Sequence, residues 1–154
     1  MDPISIKPET LMITALSEEG EGIGRLDGMA VFVPGALPGE TVECLLVEQK
    51  KNYARGRLMK VLTVSPARVT PPCPYFPECG GCQLQHLDYG AQLEAKRVTV
   101  QDALERIGGF KDVTVPLTLG MAAPLRYRNN GQYHIRRVNG RVRIGFFKAG
   151  THEV

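Results

Sequence analysis

Between about residues 8 and 64, apolar and polar positions alternate in five short runs, LMITALS, EGIGRL, MAVFVPG, ETVECLLVEQ and YARGRLMKVLTV, separated by glycine, proline and polar breaks. Period-two alternation in runs this short predicts β-strands with one face buried. Asp27-Gly28, between the second and third runs, predicts a tight hairpin turn. Five strands in so short a segment fit a small closed barrel of the OB type, because closure removes exposed edges. The pattern then changes. Residues 65–86 are rich in proline and poor in strand signal, and they hold most of the cysteines. Asp88 can cap a helix running to about Ile107, with Leu93, Val100, Leu104 and Ile107 forming a stripe expected to pack into a core. Gly108-Gly109 should end it. After Pro124 alternation returns: GQYHIRRV and RVRIGFFK flank Asn139-Gly140 and predict a second hairpin.

The expected fold is mainly β with α+β character. A five-stranded OB-like barrel occupies residues 1–64, a cysteine-bearing connector 65–87, and a helix and hairpin over 88–154 begin a small α/β central domain whose remainder is absent. A hairpin is marginal without partner strands, and its open edges would favour self-association.

With 154 residues and 43% apolar content, the chain can bury a real core. Its first residues, MDPISIKPETLMITA, carry Asp2 and Glu9 and no long apolar run, unlike a secretory leader. No segment approaches the roughly 20 apolar residues of a membrane-spanning helix. A cytoplasmic protein with no membrane partner is expected, in a reducing compartment where clustered cysteines more often bind metal than form disulfides.

The net charge of +3 conceals a strong segregation. From Gln49 to Pro77 there are six cations, Lys50, Lys51, Arg55, Arg57, Lys60 and Arg68, and no acid. From Val113 to His152 there are seven, Arg126, Arg128, Arg136, Arg137, Arg141, Arg143 and Lys148, and again no acid. Two such stretches point to a polyanionic partner, most simply nucleic acid. Arg55 and Arg57 lie two apart and share a strand face. Lys50, Lys51 and Tyr53 sit in the preceding loop, suited to phosphate and base contact. The plainer alternatives are solvated strand faces and a Tyr53 that covers the barrel end.

Cys73, Cys79 and Cys82 are spaced C-x5-C-x2-C within PPCPYFPECGGCQLQH. Thiolates suit iron–sulfur clusters and zinc, and both usually take four protein ligands. Gly80 and Gly81 let the backbone curl around a bulky group, and the prolines stiffen the approach. The spacing favours a cluster, since structural zinc sites usually come as two C-x2-4-C halves. Cys44 and His86 are candidates for the fourth ligand. Cys44 shares a strand face with Val42 and Leu46, which favours a buried barrel position. His86 would complete a Cys3His zinc site in a free-standing RNA-binding module, or is simply a polar residue entering the helix. A redox pair at Cys79 and Cys82 would leave one thiol unmatched.

EGEGIGRLDGMAVFVPGALPGETVECLL followed by a basic strand resembles a TRAM domain. CPYFPECGGCQLQHLDYGAQLEAKRVTVQDALERIGG resembles the cysteine motif and following helix of TrmA/RumA-type RNA (uracil-5-)-methyltransferases, and RYRNN and GFFKAGTHEV resemble later segments of that family. The resemblance implies an RNA-binding barrel, a 4Fe–4S cluster on Cys73, Cys79 and Cys82, and a fourth cysteine following the segment present here as Gly150-Thr151-His152-Glu153-Val154. It also implies rRNA or tRNA as substrate and Arg126 and Arg128 near it. The nucleophile, the base and the S-adenosylmethionine site are expected in a C-terminal domain, so catalytic and cofactor-binding residues are expected outside this chain.

Overall fold

The computed structural model describes residues 7–154. The leader reading and the start of the expected barrel segment, at residues 1–6, lie outside the described residues. Five strands, β1 (Glu9–Leu16), β2 (Gly22–Leu26), β3 (Met29–Val33), β4 (Thr41–Gln49) and β5 (Tyr53–Thr63), close into a barrel of order β1-β2-β3-β5-β4. β3 and β5 pair in parallel, and the other neighbours are antiparallel. The alternation decides which residues point inward: Leu11 and Ile13 from β1, Val31 and Val33 from β3, Val42, Cys44 and Leu46 from β4, and Ala54 from β5 form one buried cluster. Their removal from water is the main force holding the barrel closed. Asp27 and Gly28 both adopt positive φ, 49° and 83°, as a tight β2–β3 turn requires. Gly56 serves a different purpose, because a Cβ there would stand 2.9 Å from the Cys44 sulfur. Its bare backbone lets β5 lie close against the packed interior.

The barrel is bolted to the connector by a buried ion pair. Glu40 has no solvent exposure, and its carboxylate accepts from Arg68 Nε at 2.6 Å, Arg68 Nη2 at 2.8 Å, Leu37 N at 2.9 Å and Ser65 N at 3.3 Å. Arg68 Nη2 also donates to the Gly35 carbonyl at 2.7 Å. Burial alone would raise the Glu40 pKa, but the Arg68 guanidinium and the two amides outweigh it and hold the carboxyl below its ordinary value. The connector then doubles back on itself: Val69 N donates to His86 O at 2.9 Å and Asp88 N to Ala67 O at 2.8 Å.

Helix α1 (Tyr89–Asp102) begins where expected, with Asp88 Oδ1 accepting from Gly90 N at 2.9 Å and Ala91 N at 3.3 Å. The helical stretch ends at Ile107 and Gly108 as expected, and its last turn, Ala103–Ile107, widens to π-helical geometry. One expectation is corrected. The stripe is not core, since no residue of α1 or of that turn is buried, and Val100 and Ile107 are 49% and 85% exposed. The reason is the neighbour. An extended segment touches α1 through polar bonds, from Thr118 Oγ1 to Leu93 O, from Gln101 Nε2 to Val113 O and from Met121 N to the Tyr89 hydroxyl, and the side that faces β1 lines an open pocket with Thr14, Ala15 and Leu16 in place of a packed core. The expected second hairpin is present as β6 (His134–Val138) and β7 (Arg141–Gly145), turning at Asn139 and Gly140 with φ of 50° and 77°.

Candidate nucleic-acid interface and cysteine cleft

The barrel end of the interface is built from the β4–β5 turn, closed by Lys50 N donating to Tyr53 O at 2.8 Å. Arg55 and Arg57 project outward between the inward Ala54 and Gly56, as the two-residue spacing predicted. The acid-free stretch of sequence is not acid-free in space, however. The β4–β5 register sets Glu48 directly across from Arg55, and Arg55 meets Glu21 at 2.6 Å and Glu48 at 3.9 Å. Lys50 meets Glu48 at 3.0 Å, and that hydrogen bond and charge raise its pKa. Lys51 and Arg57 meet no carboxylate at ion-pair distance among the described residues. Tyr53 stands edge-on to Phe32, ring centroids 5.8 Å apart, and is half-buried, so it closes the barrel end while leaving part of its ring to solvent.

The cysteines lie in the middle of the connector. Cys73, Cys79 and Cys82 line one open cleft of about 1110 Å³, whose other walls include Arg128, Arg143 and Lys148. Backbone bonds fix the loop that carries them. Cys79 N donates to Tyr75 O at 2.8 Å, Gly80 N to Phe147 O at 2.9 Å, and Ala149 N to Glu78 O at 2.8 Å, tying the loop to the segment after β7. A Cβ on Gly80 would come within 2.9 Å of the Phe147 carbonyl, so this approach requires glycine. Gly81 N donates to the Cys79 sulfur at 3.4 Å, the kind of amide-to-thiolate contact that stabilises a metal-bound sulfur.

The donor set can be tested against each expected group. No three His, Cys, Asp or Glu side chains among the described residues stand close enough together to hold a metal ion. A tetrahedral zinc needs its ligands gathered at about 2–2.3 Å, and that compact set is not formed. The three thiols share one cleft, with an amide aimed at the Cys79 sulfur.

Neither proposed fourth ligand reaches the cleft. Cys44 is fully buried in the barrel, as its shared face with Val42 and Leu46 indicated, and burial followed by the nearby Glu9 charge pushes its thiol pKa up. His86 is 3% exposed and stacks on Phe76 at 5.1 Å. Neither of its ring nitrogens has a hydrogen-bond partner. Burial pushes its pKa down, the Arg68 charge adds to this, and the Glu40 charge opposes it. The imidazole does not itself line the cleft but stacks on Phe76, which does.

Arg126 and Arg128 belong to an irregular segment before β6, where Arg126 adopts a positive φ of 58°. Arg128 lines the cysteine cleft. Sequence reasoning missed Arg143 and Lys148 as cleft walls, because only the fold brings the hairpin against the cysteine loop. It also missed Glu40, which nothing but a lone acid ahead of a strand advertised.

The barrel defines the class of this part of the chain: residues 9–59 match the sequence model of the TRAM domain, and they form the closed, OB-like barrel. Similarity to RNA methyltransferases extends over most of the chain. A protein of Clostridium tetani named an uncharacterized RNA methyltransferase is 47% identical over 94% of this chain and 31% of its own length. A similarly named protein of Halalkalibacterium halodurans is 46% identical over 92% of this chain and 31% of its own. A solution structure of a conserved protein of Methanococcus maripaludis is 28% identical, covering 36% of this chain and 80% of that one, with a TM-score of 0.35. The chain thus spans about 31% of the length of the curated relatives it matches. Among the described residues no helix is long and apolar enough to cross a membrane.

Proposed function

We propose that this chain is the RNA-recognising and iron–sulfur-binding part of an S-adenosylmethionine-dependent methyltransferase that methylates C5 of uracil in rRNA or tRNA. The observation that carries the reading is the cleft in which Cys73, Cys79 and Cys82 face Arg128, Arg143 and Lys148. The TRAM match at residues 9–59 and the similarity to proteins named RNA methyltransferases support it. Cys73, Cys79 and Cys82 would hold a 4Fe–4S cluster, with the fourth ligand supplied from outside residues 7–154. Val154 lines the same cleft, so a residue near it can reach the site. Bound there, the group would tie the connector loop to the β6–β7 hairpin and hold the nearby arginines in place.

None of the four cysteines acts as the methyltransfer nucleophile in this reading. Cys44 is sealed in the barrel and the other three serve as ligands. The barrel contributes Lys50, Lys51, Tyr53, Arg55 and Arg57, and the segment before β6 contributes Arg126 and Arg128. With Lys50 and Arg55 already engaged by Glu48 and Glu21, Lys51 and Arg57 are the more available barrel contacts. The test is fluorescence anisotropy of a labelled single-stranded RNA titrated with the chain at several salt concentrations. Affinity should fall steeply as salt rises, by about 0.7 in the log–log slope per phosphate contact. Binding that is absent, or indifferent to salt, overturns the reading.

A further inference from the structure

Arg55, Arg68, Arg97 and Arg106 each meet a carboxylate within 4.0 Å. Arg126, Arg128, Arg136, Arg137, Arg141 and Arg143 meet none among the described residues. The fold therefore pairs Arg55 and Arg68 and the helical arginines with acids, leaves Arg25 and Arg57 of the barrel without one among the described residues, and leaves every arginine around the hairpin unopposed.

The pairing of β6 with β7 concentrates them further. Arg136 stands directly across from Arg143, Val138 across from Arg141, and His134 across from Gly145. Paired residues share a face and alternate residues return to it. One face of the hairpin thus carries Arg136, Arg141, Arg143 and His134, while Ile135, Val142, Ile144 and Arg137 occupy the other. Opposed like charges destabilise a strand pair. No carboxylate among the described residues offsets that cost. Arg136 lies over the Phe147 ring at 5.5 Å, and Phe147 is stacked on His134 at 3.7 Å with the rings 7° from parallel. A guanidinium resting on a ring keeps its planar N–H fork available at its edges for an anion.

We infer that this arginine face is the main contact with the RNA backbone, ahead of the basic loop of the barrel. The inference rests on the RNA-binding reading above and deepens it. Arg141 and Arg143 are two residues apart, about 6.8 Å along a strand, a separation that lets them engage neighbouring phosphates of one RNA strand. Arg143 also lines the cysteine cleft, so a strand lying on this face is led past Cys73, Cys79 and Cys82. An acidic peptide could meet the same charges. Repeated phosphates on one strand fit the cross-strand spacing better, and the adjoining TRAM domain favours RNA.

The experiment compares the full chain with the triple variant Arg136→Gln/Arg141→Gln/Arg143→Gln and the barrel variant Lys51→Gln/Arg57→Gln. The probe is a fluorescein-labelled single-stranded RNA followed by anisotropy across a salt series. The triple variant should flatten the log–log salt slope by about 2, at about 0.7 per lost contact, and the barrel variant should flatten it less. Circular dichroism of each variant checks the fold, and Arg141→Gln alone, expected to lose about 0.7, stands in if the triple variant unfolds. A chain that binds RNA with a slope unmoved by either hairpin variant overturns this inference and leaves the RNA-binding reading standing. Failure of the unaltered chain to bind overturns both. Displacement of the RNA by polyglutamate as readily as by unlabelled RNA also overturns the inference, in favour of an acidic partner.

Discussion

Replacing Arg68 by alanine strips the cation from a carboxylate that has no contact with water. Glu40 would keep its bonds from Leu37 N and Ser65 N and lose the two from Arg68, at 2.6 and 2.8 Å. Leaving a buried charge unpaired costs about 3–5 kcal/mol. The Arg68 side chain is 25% exposed, so water can partly replace it, and the low end, about 3 kcal/mol, is expected. The loss also loosens the connector, because Arg68 ties Glu40 and the Gly35 carbonyl to the segment that pairs with Leu87. Urea unfolding followed by far-UV circular dichroism measures it. The double variant Glu40→Gln/Arg68→Met removes both charges and leaves one backbone amide unsatisfied, at about 1–3 kcal/mol, while the Gly35 carbonyl loses its Arg68 donor in both variants alike. It should therefore be more stable than Arg68→Ala. A loss below about 1 kcal/mol for Arg68→Ala, or a double variant less stable than the single one, would refute the buried-pair account.

Gly56→Ala places a Cβ 2.9 Å from the Cys44 sulfur and should cost roughly 1–3 kcal/mol in urea unfolding. Adding Cys44→Ala removes that sulfur, so the pair should lose less than the sum of the two single losses. His86 is held below its ordinary value of 6.5, so the unfolded chain takes up a proton first and stability should fall as pH drops through about 6.5. Glu40, held below 4.5, adds a second loss under that pH. Melting temperature across pH should show both steps in the native chain and only the lower one in His86→Phe. An unchanged profile would contradict the burial assigned to the imidazole. In the metal-free chain a thiol reagent followed by mass spectrometry should label Cys73, Cys79 and Cys82 but reach Cys44 only in denaturant, and labelling of native Cys44 would contradict its place in the core.

The barrel was legible because each strand alternates cleanly. Val42, Cys44 and Leu46 share a parity, and that alone placed the cysteine inside. Asp27-Gly28 and Asn139-Gly140 marked both hairpin turns because few other dipeptides tolerate two successive positive φ angles. The helical stripe misled because periodicity tells which side chains share a face, and not whether anything covers that face. The charge pattern misled in a similar way. Glu48 is seven residues from Arg55 in sequence and across the sheet from it in space, and only register reveals the pairing. His86 follows the last cysteine closely, yet Phe76 and the barrel edge enclose it, so proximity along the chain overstated its access to the cleft.

The claim that the three-cysteine loop is built for a cluster is met most directly by anaerobic reconstitution. The chain is incubated with iron, sulfide and a small thiol able to fill a fourth position, and iron, sulfide and zinc are then measured per chain with the visible spectrum. About four iron and four sulfide with broad visible absorption, lost on replacing Cys79 by alanine, is the result expected. Zinc bound without sulfide, or iron uptake that survives Cys79→Ala, would contradict it.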